Sequence, residues 1–180
     1  MVSNEEILVN KRNGRGKEAL QIDKIHAMVG FATDGITGVS ASHVEMNSGI
    51  QLFDGISTAD IQQILIKSAN DLITLESPNY QYVAARLLLF SLRKQLFHRL
   101  WDHPKLIDHI KKLIDMGLYD KDILVNYDES EIDRMNMWID HERDYNFTYA
   151  GLRQVMDKYL VQDRSTGEIF ETPQFMYMMI

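Results

Sequence analysis

The sequence predicts a mainly α-helical chain, with a small sheet at its front and a short hairpin near its end. Three observations predict it. Apolar residues recur at helical spacing through most of the 180 residues. The three prolines, Pro78, Pro104 and Pro173, each stand where a helix could begin. Strand-like runs are short and flank glycine turns.

The elements follow in order. Ile7-Leu8-Val9 reads as a strand, Asn13-Gly14-Arg15-Gly16 as a turn, and Glu18–Ile22 as the returning strand. Asp23 is expected to cap a helix whose stripe is Ile25, Met28, Val29 and Ala32, with Gly35 as its stop. Ser40 or Ser42 starts a helix carrying Val44, and Ile50–Phe53 is a candidate third strand before Asp54-Gly55. Ser57 or Thr58 caps a long helix that would bury Ile61, Ile64, Leu65, Ala69, Leu72 and Ile73. Ser77-Pro78 opens the next, running to about Phe97, with Tyr82, Ala85, Leu89 and Leu92 inward. Helical segments are then expected over Lys105–Met116, Ile123–Tyr127, Ser130–Met137 and Thr148–Tyr159. A second hairpin turns at Arg164-Ser165-Thr166-Gly167, and a last helix begins near Pro173. A boundary near residues 98–104 gives domains over 1–98 and 99–180.

Composition excludes several classes. With no cysteine there is no disulfide, thiolate metal site or thiol nucleophile in this chain. The net charge of −7 argues against a general nucleic-acid surface. No apolar run approaches ~18 residues, and the start of the chain carries two glutamates where a signal peptide would be apolar, so neither membrane nor export is expected and a cytoplasmic protein is the default. Charge is unevenly placed: Lys11, Arg12, Arg15, Lys17 and Lys24 make the front cationic, Asn79–Leu100 holds four bases and no acid, and Asp120–Asp144 holds nine acids against three bases.

The sharpest local feature is Lys11-Arg12 on a strand before a glycine turn, with Lys24 on the following helix. Fixed cations beside a tight turn suit a polyphosphate, and a solvated hairpin tip has the same sequence. Walker A spacing is absent. In Asp140-His-Glu-Arg-Asp144 the neighbouring side chains point in different directions, so a capped, salt-bridged connection is expected rather than a metal site. His26, His43, His98, His103 and His109 have no ligand spacing, and Met176, Met178 and Met179 read as packing residues.

Val9-Asn-Lys-Arg-Asn-Gly14, Ile22-Asp-Lys-Ile-His26, Asp54-Gly-Ile-Ser-Thr58 and Tyr80-Gln-Tyr-Val-Ala-Ala-Arg86 together resemble an ATP-cone, the one at the N-terminus of the large subunit of class Ia ribonucleotide reductase, of bacterial or bacteriophage type. Ile139-Asp-His-Glu-Arg-Asp144, Lys158-Tyr-Leu-Val-Gln-Asp-Arg164 and Glu171-Thr-Pro-Gln-Phe175 are similar to the segment that follows the cone there. The resemblance implies a helical bundle capped by a three-stranded sheet, then a helical lead-in to a catalytic barrel that this sequence lacks. It implies ATP or dATP as allosteric effector, accompanied by Mg, with no metal or thiol cofactor in this chain. Lys11, Arg12 and Lys94 would meet phosphate. Val9, Glu18, Gln21, Ile22, Lys24, Thr58 and Phe90 would surround base and ribose. The loop between Arg12 and Glu18 is one residue longer than the commonest family pattern. Gln62 and Ser91 stand where members inhibited by dATP often carry histidine at the effector site or its rim, and Asp60 is kept, so ATP binding is expected and dATP inhibition is not.

The family makes deoxyribonucleotides from ribonucleoside diphosphates by cysteine radical chemistry, and this chain has no cysteine. Catalysis would need a second large-subunit chain bearing the barrel and a small radical-generating subunit, with no nucleic acid or membrane partner. Phe175, Met176, Met179 and Ile180, on a short terminal helix that is nearly all apolar, are expected to need such a partner for burial. Alternatives are a free-standing ATP-cone sensor, or a helical interaction protein with no ligand.

Overall fold

A computed structural model describes residues 7–12, 16–49, 55–98 and 100–180. Backbone packing divides the chain into two compact units: residues 1–91 with 148–150, and residues 92–147 with 151–180. Among the described residues no helix is long and apolar enough to cross a membrane.

The first unit opens with an antiparallel hairpin, β1 (Leu8–Asn10) and β2 (Lys17–Ala19), in the register Leu8↔Ala19, Val9↔Glu18, Asn10↔Lys17. Beside β1, Asn10 forms a parallel bridge to Ser57; its N–H donates to the Ile56 carbonyl at 3.0 Å, and the Gly55 N–H donates to the Leu8 carbonyl at 2.8 Å. The expected strand at Ile50–Phe53 and the hairpin turn at Asn13–Arg15 lie outside the described residues.

Four helices make the bundle of this unit: α1 (Ile22–Thr33), α2 (Ala41–Ser48), α3 (Thr58–Asp71) and α4 (Tyr80–Phe97), whose residues from Leu92 count with the second unit. Its core holds Val29, Ala32, Val44, Leu65, Ala69, Val83, Leu87 and Phe90. Asp23 is not the cap of α1. The Lys24 N–H closes the first turn on the Gln21 carbonyl, so Gln21 is the cap residue and Asp23 falls inside the first turn, where its charge still favours the helix start. α2 starts at Ser40 and α3 at Ser57, whose hydroxyl accepts the Asp60 N–H at 2.9 Å.

The buried face of α3 is rotated from the expected one. It holds Gln62, Ile66 and Ser68 beside Ile61, Leu65 and Ala69, while Ile73 is exposed. Each buried polar group meets a backbone carbonyl of another helix: Gln62 Nε2 donates to Leu87 at 3.0 Å and Ser68 Oγ to Val44 at 2.6 Å. Satisfied this way, they cost little to bury. Arg86 donates to the Asp34 carbonyl at 2.7 Å, where the open end of α1 attracts a cation.

The second unit holds α5 (Leu106–Asp115), α6 (Ile123–Asn126), α7 (Glu129–Asn136), a 3-10 helix over His141–Asn146, α8 (Tyr149–Lys158), the hairpin β3 (Gln162–Asp163) and β4 (Glu168–Ile169), and α9 (Pro173–Met179). Leu106, Ile110, Ile132 and Phe175 form one fully buried cluster. α7 carries a reciprocal cap between Asp128 and Glu131. Asn136 Oδ1 accepts the Leu106 N–H at 2.8 Å, supplying α5 with the cap that Lys105 cannot. The expectation for the terminal helix is corrected here. Phe175 and Met176 are buried within this chain, and Met178 and Met179 pack against the Leu106 cluster. Tyr177, 54% exposed, supplies the outward face, leaving Ile180 at 93%.

Candidate functional site

The geometry that gathers sequence-predicted residues lies where the hairpin meets α3 and α4 within the first unit. Arg12 is the second residue after β1. Its N–H donates to Thr58 Oγ1 at 3.2 Å, fixing the backbone beside the first residue of α3. Its side chain crosses to α4, where Nη1 donates to the Ser91 carbonyl at 2.9 Å and Nη2 to the Ser91 hydroxyl at 3.2 Å. Partial burial lowers its pKa from the ordinary arginine value, yet a guanidinium stays charged in a protein. Among the described residues no carboxylate pairs with it. α3 is 14 residues long, and the first N–H groups of a helix carry a positive partial charge. A half-buried cation beside a helix start is suited to an anion.

Lys11 differs from its neighbour. Its Nζ pairs with Glu18 Oε2 at 3.0 Å, both side chains being partly exposed. Val9 faces Glu18 across the hairpin and is buried. Gln21, Ile22 and Lys24 lie on the exposed opening of α1, joined to β2 through Leu20. Phe90 is buried on α4, its ring 5.5 Å from that of Phe31. Lys94 stands one helical turn after Phe90, in the last turn of α4 and within the second unit. Ser91 belongs to the Arg12 cluster. Gln62 does not: its amide is turned into the bundle toward Leu87.

The second unit has a polar centre that sequence reasoning missed. Arg93, 1% exposed, donates to the Tyr145 hydroxyl at 2.8 Å and to the His141 carbonyl, with Asp144 Oδ2 at 3.6 Å. Gln174 Nε2 donates to the other Asp144 oxygen at 2.8 Å. Burial outweighs these partners and raises the Asp144 carboxyl to about 6. Beside them, His103 stacks on His141 with ring centroids 3.7 Å apart, and His109 stacks on Phe175 at 4.2 Å. Burial lowers the pKa of His103 and His109 to about 4 and of His141 to about 3, so all three rings are neutral near neutral pH. Among the described residues no group of His, Cys, Asp or Glu could hold a metal ion. One signal could have revealed Arg93: the helical repeat places it in line with Ala85, Leu89 and Phe97, a charge on an apolar stripe.

Comparison with known proteins gives two findings. Residues 7–95 match the family model described as the ATP cone domain. Over 177 residues, 98% of this chain, the sequence is 46% identical to ribonucleoside-diphosphate reductase 1 subunit alpha of Escherichia coli and 47% identical to the alpha subunit of Haemophilus influenzae. It is 41% identical over 174 residues to the alpha subunit of Enterobacteria phage T4. In each case the match covers 23% of the relative's length.

Proposed function

From the match of residues 7–95 to the ATP cone domain, we propose that the chain is the N-terminal regulatory part of a ribonucleoside-diphosphate reductase alpha subunit and binds ATP or dATP as an allosteric effector. The observation that carries this is Arg12, whose backbone N–H is held by Thr58 at the start of α3 and whose guanidinium is held by Ser91 on α4. It is a cation with no described carboxylate partner, on an element that the family match includes.

In this reading Lys11, Arg12 and Lys94 neutralise the triphosphate, and the start of α3 adds its dipole. Mg travels with the nucleotide as its counter-ion. Val9 and Phe90 give the site an apolar wall, and Glu18, Gln21, Ile22, Lys24 and Thr58 surround base and ribose. Lys11 must leave or share Glu18 to reach phosphate, so Arg12 is the stronger contact. The cone runs over residues 1–98 and the helical lead-in over 99–180. Gln62 and Ser91 can hydrogen-bond but carry no charge, so dATP binds without switching the enzyme off.

Reduction of ribonucleoside diphosphates then takes place elsewhere. With no cysteine in this sequence, the thiyl radical and reducing pair come from a large-subunit segment bearing the barrel, and the radical originates in a small subunit. Titration calorimetry with ATP tests the effector role, and co-purification with a barrel-bearing chain tests the assembly.

A further inference from the structure

We propose that Ser91 is the positioning residue for the phosphate end of the nucleotide: it holds the Arg12 guanidinium in one orientation, with the remaining N–H groups of the fork free for phosphate oxygens. This rests on the effector-site reading above and names how that site is set. A guanidinium carries five N–H groups. One on Nη1 is spent on the Ser91 carbonyl at 2.9 Å and one on Nη2 on the Ser91 hydroxyl at 3.2 Å. Five less two leaves three, on a planar fork that matches phosphate in paired fashion.

An arginine side chain loses considerable rotamer freedom when a ligand fixes it. Here the fixing is done within the protein, at the backbone by Thr58 Oγ1 and at the head by Ser91, so a phosphate meets a cation already in place. The Lys11 ammonium has no such support, since it pairs with the partly exposed Glu18. Ser91 itself is 7% exposed on a helix and has a single short rotor. It acts through Arg12 rather than by touching phosphate.

The experiment is calorimetric titration of the full chain with ATP and with inorganic tripolyphosphate. The unsubstituted chain is expected to bind both. Ser91→Ala, which removes the hydroxyl and keeps the carbonyl, is expected to weaken both about tenfold, as loss of one hydrogen bond to a charged group does. In an Arg12→Ala background the same change should add less than about twofold, because the residue it serves is gone. Arg12→Lys keeps the charge but cannot span both Ser91 oxygens, and should lose about tenfold with Ser91 intact. Unchanged affinity in Ser91→Ala, equal losses in both backgrounds, or full affinity in Arg12→Lys would overturn the proposal alone. An unsubstituted chain that binds neither ligand would overturn the effector reading and the proposal with it.

Discussion

Arg12 and Lys11 are adjacent cations with different fates, and the difference is electrostatic. Lys11 is answered by Glu18 and partly exposed, whereas Arg12 is half-buried and answered by neutral oxygens. Arg12→Ala is therefore expected to cost about 1.5–3 kcal/mol of ATP binding, ten- to a hundredfold in affinity, and Lys11→Ala clearly less. Equal losses measured by calorimetry would contradict that ranking. Lys11-Arg12 was legible as chemistry in the sequence, and Thr58 only through the family resemblance. The Ser91 contact was not, because it spans 79 residues of chain and involves a carbonyl that any residue carries. The buried histidines were illegible for a related reason: His103, His109 and His141 have no common spacing and converge on Phe175 and one another only in the fold. Their folded pKa values lie below the ordinary histidine value of 6.5, chiefly through burial, with Arg93 repelling His103 and His141 and Lys112 repelling His109. As pH falls below 6.5 the unfolded chain takes up protons that the folded rings refuse, so this stability is full above 6.5 and is lost on the way down to about 4 and 3. Asp144, raised to about 6 by burial, and Glu171, also raised by burial, act in the opposite sense. Three imidazoles against two carboxyls leave a net loss. The urea midpoint is expected to be lower near pH 5 than near pH 7, and an unchanged or higher midpoint would contradict the cluster's role.

At the scale of elements, helix positions were read well where a cap residue or a proline precedes the first turn, as in α3 after Ser57 and α5 after Pro104. The misreadings have physical causes. Asp23 is a good capping residue, but the turn closes two residues earlier at Gln21. Gln62 and Ser68 fall outside the apolar stripe because they are polar, yet each finds a carbonyl on a neighbouring helix. The terminal helix read as apolar all round because Met and Tyr were taken to share one preference. Its residues divide instead, Phe175 inward against Phe97, His109 and His141, and Tyr177 outward. α9 is thus part of this chain's own core. Phe175→Ala is expected to destabilise the second unit by about 3–5 kcal/mol in urea unfolding followed by the fluorescence of Trp101 and Trp138. A change below about 1 kcal/mol would show that α9 is not held by this chain.

For the whole molecule, the collinear match to alpha subunits makes nucleotide control of a reductase the central proposal, and the two departures from the family pattern bear on its direction. Ser91 occupies itself with Arg12 and Gln62 with Leu87, so neither offers a charge to an inhibitory nucleotide. The assembled enzyme is expected to keep its activity as dATP rises, and strong inhibition in a reductase assay would assign the response to other residues. These 180 residues hold no cysteine, so they supply no thiyl radical themselves. What the sequence could not supply was the contact between Arg12 and Ser91. The most direct measurement is titration of the intact chain with ATP. Saturable binding of one ATP per chain, weakened ten- to a hundredfold by Arg12→Ala, is the expected result; no binding, or binding indifferent to Arg12, would contradict the assignment of this chain as an effector-binding ATP-cone.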